Sequence, residues 1–445
     1  MKKNKAAFIC QTCSATFSSW SGQCSTCGNW NTLVETIISA PKSGKHEYSV
    51  ASLDLQVKQL SDVSVLQSER ITTGISELDR VLGGGFVPGQ VVLLSGDPGI
   101  GKSTILTQMA KSMTDKNVLY ICGEESPTQI KVRASRMNYD GKNLFLLSQT
   151  CGDDIGSYLQ ANTRGSGNNY HIVIVDSIQT IYTSVLAGLS GSIGQIREAS
   201  SIVIQAAKNL SIPVILVGHV TKDGSIAGPK VLEHMVDTVL YLEGDYQHLF
   251  RILKSNKNRF GSVSEIGVFE MRQDGMSQIK NPSELFLSER LDNSSGSCVS
   301  VVMEGTRPLL FEIQALTIPT AFGYPRRTAS GFNVNRLNVL LAILEKRCGL
   351  SLSSSDVYLS IAGGYKVTEY SCDLAVCLAV ASSLKGKALK NASIAFGECG
   401  LSGEVKKVTF QDIRVKEAKK LGFDAIISSG SVKTVKEAIT KFLEV

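Results

Sequence analysis

Short continuous apolar runs, separated by amphipathic stretches, dominate the centre of the chain. Gln90-Val-Val-Leu-Leu-Ser95 has the pattern of a buried strand, and a helical pattern over residues 105–112 follows it. Val118-Leu-Tyr-Ile-Cys-Gly-Glu124-Glu125, His171-Ile-Val-Ile-Val-Asp176 and Val214-Ile-Leu-Val-Gly-His219 are further strands, each ending in a polar or acidic residue. Alternation of this kind predicts an α/β core. Past about residue 286 the pattern restarts. It predicts strands over 298–303 and 309–316, a loop over 319–331, a helix over 335–347, a strand over 357–362 and a helix over 373–384. A hairpin over 394–408, around Gly400 and Gly403, and helices over 411–421 and 432–442 complete an α+β pattern. Residues 35–70 are polar and weakly patterned, with Pro41, Gly44 and several serines, and read as a linker.

Composition narrows the class. The 445 residues are 43% hydrophobic and 19% charged, which suits globular domains with real cores. At about 150 residues per domain, roughly three domains are expected. They are a metal module over 1–34, a nucleotide-binding domain over 71–285 after the linker, and a further domain over 286–445. No apolar stretch approaches the ~18 residues that span a bilayer. The basic start Met-Lys-Lys-Asn-Lys leads into an apolar run that stops at Cys10, too short for a secretory signal. A cytoplasmic protein without membrane contact is expected. Net charge is +6 and uneven. Residues 1–34 carry three lysines and no acid, residues 286–445 carry 20 basic and 15 acidic side chains, and the middle is slightly acidic. Basic ends hint at a polyanion.

Four of the eleven cysteines form Cys10-x2-Cys13-x10-Cys24-x2-Cys27. Two such knuckles supply the four thiolates of a tetrahedral zinc site, and a segment this small needs a metal to fold. Both tryptophans, Trp20 and Trp30, flank the second knuckle, where a small apolar cap is expected of them more than a base-stacking platform. The other seven cysteines read as small buried hydrophobes.

Directly after the first strand stands Gly96-Asp97-Pro98-Gly99-Ile100-Gly101-Lys102-Ser103-Thr104, a phosphate-binding loop in its required setting of strand, loop and helix. Its glycines let backbone N–H groups face the phosphates of ATP, helped by the positive end of the helix. Lys102 is expected on the β- and γ-phosphates and Ser103 on Mg²⁺. Asp176, at a strand's carboxyl end, can hold the magnesium's water shell. Glu124 and Glu125 are the acidic pair placed to activate water, and the sequence does not choose between them. His219 is equally a γ-phosphate sensor or a structural residue, and Gln179 could couple nucleotide state to DNA-facing loops.

The order of these strands resembles the RecA-type ATPase core. Lys257-Asn-Arg259-Phe-Gly261, with the cysteine segment and the loop at Gly96–Thr104, is similar to the bacterial RadA (Sms) DNA-repair family. Gly123-Glu-Glu-Ser126, Gly218-His-Val-Thr-Lys222 and Ala227-Gly-Pro-Lys-Val-Leu-Glu-His234 extend the resemblance along nearly the whole chain. It implies a ring-shaped DNA-dependent ATPase, a homohexamer. Such a ring moves along single-stranded DNA and drives branch migration of branched recombination intermediates. Lys257 and Arg259 would then enter a neighbour's ATP site as an arginine finger does. A recombinase or a single-strand-binding protein is the expected protein partner, recruited by the zinc module. The alternative is a RecA-like ATP switch that recruits partners without moving DNA.

The last third resembles the proteolytic domain of Lon-type proteases, which makes an ATP-driven serine protease the third possibility. That resemblance puts Ser371 at the nucleophile position and Arg414 where a catalytic lysine belongs. A guanidinium stays protonated and cannot accept the serine's proton. Ser371 is therefore expected to be a helix N-cap, and the domain to be non-proteolytic, with lysine and arginine clusters free for a DNA backbone.

Overall fold

The structure, a computed structural model, describes residues 5–10, 16–30, 32–38, 70–162, 169–219, 230–244, 250–279, 294–321, 323–362, 365–390 and 393–443, and the single positions 281, 283, 287 and 291. The chain divides into two compact units. The first holds residues 1–243, 255–262 and 273–276; the second holds 244–254, 263–272 and 277–445.

At the start of the first unit, β1 (Lys5–Cys10) pairs antiparallel with β2 (Thr16–Phe17) and with β3 (Leu33–Ile38). The strand runs four residues into the stretch expected as linker, and the remainder of that stretch, 39–69, lies outside the described residues. Cys10, Cys24 and Leu33 form its small core.

The main body of this unit is a parallel sheet. Its strands are β4 (Val91–Gly96), β5 (Val118–Cys122), β6 (Leu144–Leu147), β7 (Ile172–Asp176), β8 (Val214–His219) and β9 (Thr238–Glu243). They lie side by side in the order β9-β4-β8-β7-β5-β6. β4, β5 and β7 are buried along their whole length, which explains their unbroken apolar sequences. Helices return the chain between strands. α1 (Ser76–Leu82) precedes the sheet, α2 (Lys102–Ser112) follows β4, and α3 (Pro127–Arg136) follows β5. α4 (Gly152–Asn162) and α5 (Ile193–Leu210) flank β7 in sequence. α3 begins with a capping box, Ser126 and Gln129 satisfying each other's backbone N–H, and Pro127 starts the helix. α5 buries Ile196, Ala199, Val203, Ala206 and Ala207 against the sheet, an i, i+3, i+4 stripe.

The second unit starts before residue 286. The long strand Phe250–Asn258 (β10) contributes its first half to it, pairing antiparallel with β11 (Ile266–Arg272) from Phe250 to Lys254. The physical reason is packing: Ile252, Ile266 and Val268 belong to the C-terminal hydrophobic core. β12 (Gly275–Gln278) comes next. Further strands are β13 (Ser297–Glu304), β14 (Arg307–Pro319), β15 (Arg327–Ser330), β16 (Ser355–Ile361), β17 (Ser393–Ala395), β18 (Glu398–Cys399), β19 (Val405–Lys406) and β20 (Ala425–Ile427). Six of them form one sheet in the order β15-β16-β14-β13-β17-β20. β15 falls inside the expected loop; it is polar and short, and its parallel pairing with β16 makes it a strand. The expected hairpin over 394–408 is smaller than its pattern. Only Glu398–Cys399 and Val405–Lys406 pair antiparallel, while Ser393–Ala395 joins the larger sheet. Helices Val334–Cys348 and Asp373–Lys385 cover one face, the second buried from Asp373 through Ser382.

Candidate nucleotide site and metal centre

Sheet order builds the site. Going across β4, β8, β7 and β5, the carboxyl ends present Lys102, His219, Asp176 and Glu124 in turn. Gly99 and Gly101 take φ values of +72° and +114°, which lets the loop curl without side-chain clash. α2 follows Gly101 with no side chain capping it, and its first turn lines the cleft, which leaves its N–H groups to a ligand. The cleft has a volume of about 260 Å³ and is lined by the loop, Glu124, Glu125, Arg133, Asp176 and His219.

Lys102 is buried, and its Nζ donates to the carbonyls of Gly96 at 2.8 Å and Asp97 at 3.0 Å. Its Nζ also meets His219 Nδ1 at 3.0 Å. Burial lowers the Lys102 pKa to about 8, against the pull of Asp176, Glu124 and Asp97. Asp176 Oδ2 accepts hydrogen bonds from Ser103 Oγ at 2.6 Å and from the Tyr120 hydroxyl. Burial holds the Tyr120 phenol well above its usual pKa, so it remains a donor. Ser103 and Asp176, a hydroxyl and a carboxylate in contact, form the oxygen donor set that suits Mg²⁺.

The two glutamates separate. Glu125 accepts from Arg133 Nη1 at 2.7 Å, and Arg133 Nε reaches Thr107 Oγ1 at 3.2 Å, which ties that pair to α2. Glu124 instead meets His219 Nε2 at 2.9 Å and is half-exposed in the cleft. The turn that carries it is anchored on β7: Gly123 and Glu124 N–H both donate to Asp176 C=O, at 2.8 and 3.1 Å. A Cβ on Gly123 would fall 2.2 Å from Thr180 Oγ1, so only glycine fits there. Gln179 brackets the His219 backbone, donating to its carbonyl at 3.1 Å and accepting from its N–H at 3.2 Å. The described chain then stops at His219, and Thr221, Lys222 and Ala227–Pro229 lie outside it.

Lys257 and Arg259 are absent from the residues that line this cleft. Lys257 Nζ donates to the Glu233 carbonyl at 2.7 Å. The Arg259 side chain is 61% exposed and contacts Asp237 Oδ1 at 3.4 Å. Asp237 also accepts from Lys208 and from the Val91 N–H at 3.0 Å.

Three of the four expected zinc ligands come together. The sulfurs of Cys10, Cys24 and Cys27 lie within 4.8 Å of one another, with Cys10 and Cys27 at 3.6 Å. Thiolates on a tetrahedral zinc stand about 3.8 Å apart for a Zn–S length of about 2.3 Å, so this donor set fits the ion. Cys13 lies outside the described residues. The tryptophans do not form the expected cap: Trp20 and Trp30 are 60% and 69% exposed. The knuckle is too short to fold an indole under itself.

In the second unit Ser371 is not an N-cap. It sits in a one-turn helix, Tyr370–Cys372, and Cys372 is the residue that precedes the helix Asp373–Lys385. Ser371 Oγ donates weakly to Val301 C=O at 3.4 Å and accepts from Arg414 Nη1 at 3.1 Å. Arg414 is fully buried, paired to Glu369, and its Nε donates to Thr409 C=O at 3.0 Å. Lys416 is exposed.

Sequence reasoning missed Tyr120 and Arg133. The signal for Tyr120 was present, as the one polar tip in Val118–Cys122; Arg133 looked like any solvated helix cation.

The fold and site define a P-loop ATPase that carries a cysteine-based metal module. A family model described as the KaiC ATPase matches residues 71–147, and one described as a rubredoxin metal-binding domain matches residues 8–35. The DNA repair protein RadA of Bacillus subtilis (strain 168) is 47% identical over 431 residues, 96% of this chain and 93% of that protein. RadA of Brucella abortus (strain 2308) is 45% identical and covers 100% of this chain and 96% of its own length. RadA of Rickettsia felis is 48% identical, with coverages of 96% and 95%. The chain belongs to the RadA family of DNA repair proteins. A RadB recombinase structure covers 47% of this chain and 99% of its own at 22% identity, with a TM-score of 0.38. No helix among the described residues is long and apolar enough to cross a membrane.

Proposed function

We propose that this chain is a ring-forming ATPase, stimulated by single-stranded DNA, that moves along it and drives branch migration of recombination intermediates. One observation carries the reading: Lys102, His219, Glu124 and Gln179 form a continuous hydrogen-bonded path from the phosphate loop to the end of β8. A change at the phosphates therefore reaches the His219 backbone at the end of β8 through direct contacts, as a motor requires.

Each residue has a role in that scheme. The backbone N–H groups at Gly99–Thr104 hold the phosphates of ATP, and Lys102 neutralises them. Ser103 and Asp176 hold Mg²⁺, which supplies counter-charge to the phosphates. Glu124 accepts the proton of the attacking water, because Glu125 is committed to Arg133. Arg259 acts on the neighbouring subunit's nucleotide with Lys257 beside it. Its exposure and its absence from its own cleft support that direction. The expected assembly is a homohexamer, working with a recombinase or a single-strand-binding protein.

The second unit serves as a Lon-like domain without peptidase activity. Arg414, with donors only, occupies the position of a base and hydrogen-bonds Ser371 as a donor. Exposed basic side chains of this unit, such as Lys416, would meet a DNA backbone.

The test is ATP hydrolysis with and without single-stranded DNA, alongside unwinding of a fork. Wild type should be stimulated and should unwind; Lys102→Ala and Arg259→Ala should bind DNA and unwind nothing. An unstimulated wild type that never unwinds would instead establish a switch that recruits partners.

A further inference from the structure

We infer that Arg70, helped by Asn258, is a positioning residue for Arg259: it clamps the turn that carries the finger onto the C-terminal end of α1. The inference rests on the reading above in which Arg259 acts on a neighbour's nucleotide, and it adds what aims that side chain.

An arginine finger has to cross an interface and still arrive in one place. Its stem must therefore be stiff while its tip stays free. Arg259 has both properties. The side chain is 61% exposed and loosely held, 3.4 Å from Asp237 Oδ1. The backbone beneath it is fixed on either side. Arg259 N–H donates to Asp237 C=O at 3.1 Å. The Asn258 side chain donates to the carbonyls of Val81 and Leu82 at 3.2 and 3.3 Å, and accepts from Phe260 N–H at 3.0 Å. The Phe260 carbonyl in turn accepts from Arg70 Nη2 at 2.6 Å.

Arg70 precedes Phe260 by 190 residues, so nothing local announces the pair. Its other arm, Nη1, donates to Gly85 C=O at 3.2 Å and lies 3.5 Å from Leu82 C=O. The chain next to it is held as well, because Ile71 and Phe86 exchange N–H···O=C bonds at 2.9 Å. Leu82 ends α1, and a helix's last carbonyls lack partners within the helix. A cation placed there also meets the negative end of the helix. The guanidinium fork thus spans two chain segments, one arm on each, which a lysine's single ammonium cannot reproduce. The same two segments touch through glycine. A Cβ on Gly83 would stand 3.0 Å from Gly261 Cα, and Gly83 takes a φ of +85°. Backbone meets backbone there, with no flexible side chain between. Arg70 is not among the residues that line its own subunit's cleft, so it acts through the turn at 258–260 and not on phosphate.

Mixed assemblies test this, because a cleft and the finger that serves it belong to different subunits. Arg70→Ala should bind ATP within ~2-fold of wild type and hydrolyse it at least ~10-fold more slowly. Lys102→Ala lacks a working cleft but keeps its own clamp and finger. Mixing the two variants should restore activity, since random exchange pairs an intact cleft with an intact finger at about a quarter of the interfaces. Arg259→Ala mixed with Lys102→Ala is the reference and should recover to the same extent. Circular dichroism and thermal melting check that each variant is folded. If Arg70→Ala is not, Arg70→Lys and Asn258→Ala, each of which keeps part of the clamp, carry the same mixing test. Arg70→Ala at wild-type turnover would overturn the clamp. So would a loss that Lys102→Ala leaves unrepaired while it repairs Arg259→Ala, because that loss is general damage to the fold. Arg259→Ala at wild-type turnover, or without repair in the mixture, would overturn the finger reading itself and the clamp with it.

Discussion

Arg414 points its guanidinium at Ser371, with Nη1 3.1 Å from the serine oxygen, and both residues are buried. A guanidinium can only donate, so Arg414 cannot take the proton of the Ser371 hydroxyl. Two outcomes are expected. Ser371→Ala should leave ATP hydrolysis unchanged, and neither it nor wild type should cleave casein. Arg414→Met should destabilise the second unit by about 3 kcal/mol, because Glu369 loses its partner and Val301 and Thr409 carbonyls lose their donor. Denaturant unfolding followed by circular dichroism reads that loss. Casein cleavage that disappears in Ser371→Ala would contradict the assignment.

Glu124 and Glu125 should behave differently although they are adjacent. Glu124→Gln is expected to lower turnover by at least ~10²-fold with ATP affinity retained. Glu125→Gln should cost less, and should cost no more when Arg133→Ala is added, since the two share one contact. Single-turnover hydrolysis with separate nucleotide-binding measurements distinguishes them. Equal losses for both glutamates would reject Glu124 as the base.

Gln179 touches His219 and no residue of the phosphate loop among the contacts described. Gln179→Ala should therefore keep basal hydrolysis and lose most of its stimulation by single-stranded DNA. The ratio of the two rates is the readout; a proportional fall in both would place Gln179 in chemistry instead of coupling.

Lys102 sets a pH dependence. Its folded pKa is about 8 and its unfolded value 10.5, so between these the unfolded chain binds more protons. Its contribution to stability therefore rises with pH across that window, while the ammonium needed for the phosphates is lost. ATP affinity of wild type should weaken as pH passes about 8 even as thermal stability holds. Replacing Lys102 with Met should flatten that part of the affinity profile, and a profile that stays unchanged in the variant would assign the titration elsewhere.

Removing zinc should unfold the first module and little else. Cys10, Cys24 and Leu33 make a core too small to hold β1 and β3 together without a metal. A chelator, or Cys24→Ser, should abolish zinc content and the signal of the tryptophans' ordered setting. Basal ATP hydrolysis should persist. Loss of hydrolysis on chelation would mean that the module supports the ATPase core.

Much of this was legible in residues alone. The buried strands announced themselves because parallel strands covered on both faces need unbroken apolar sequence, as in Val91–Gly96 and Ile172–Asp176. The phosphate loop and the cysteine knuckles were legible because their chemistry demands fixed local spacing. Where function depends on contacts far apart in sequence, the pattern fell silent. Nothing local marked Arg133 as the partner of Glu125, or β15 as a strand. The exposure of Trp20 and Trp30 ran against the expectation from their apolar character. Burial depends on what else is near, and the knuckle offers too little.

By itself the sequence determined the strands, the loop between β4 and α2, the cysteine spacing and the list of polar groups at strand ends. The tertiary structure decided which of those groups meet. In chain order Lys102, Glu124, Asp176 and His219 stand at or just beyond the ends of β4, β5, β7 and β8; across the sheet the order is Lys102, His219, Asp176 and Glu124. Helical crossovers place successive parallel strands by packing, and this inserts β8 between β4 and β7. His219, last in sequence, thereby comes to touch both Lys102 and Glu124.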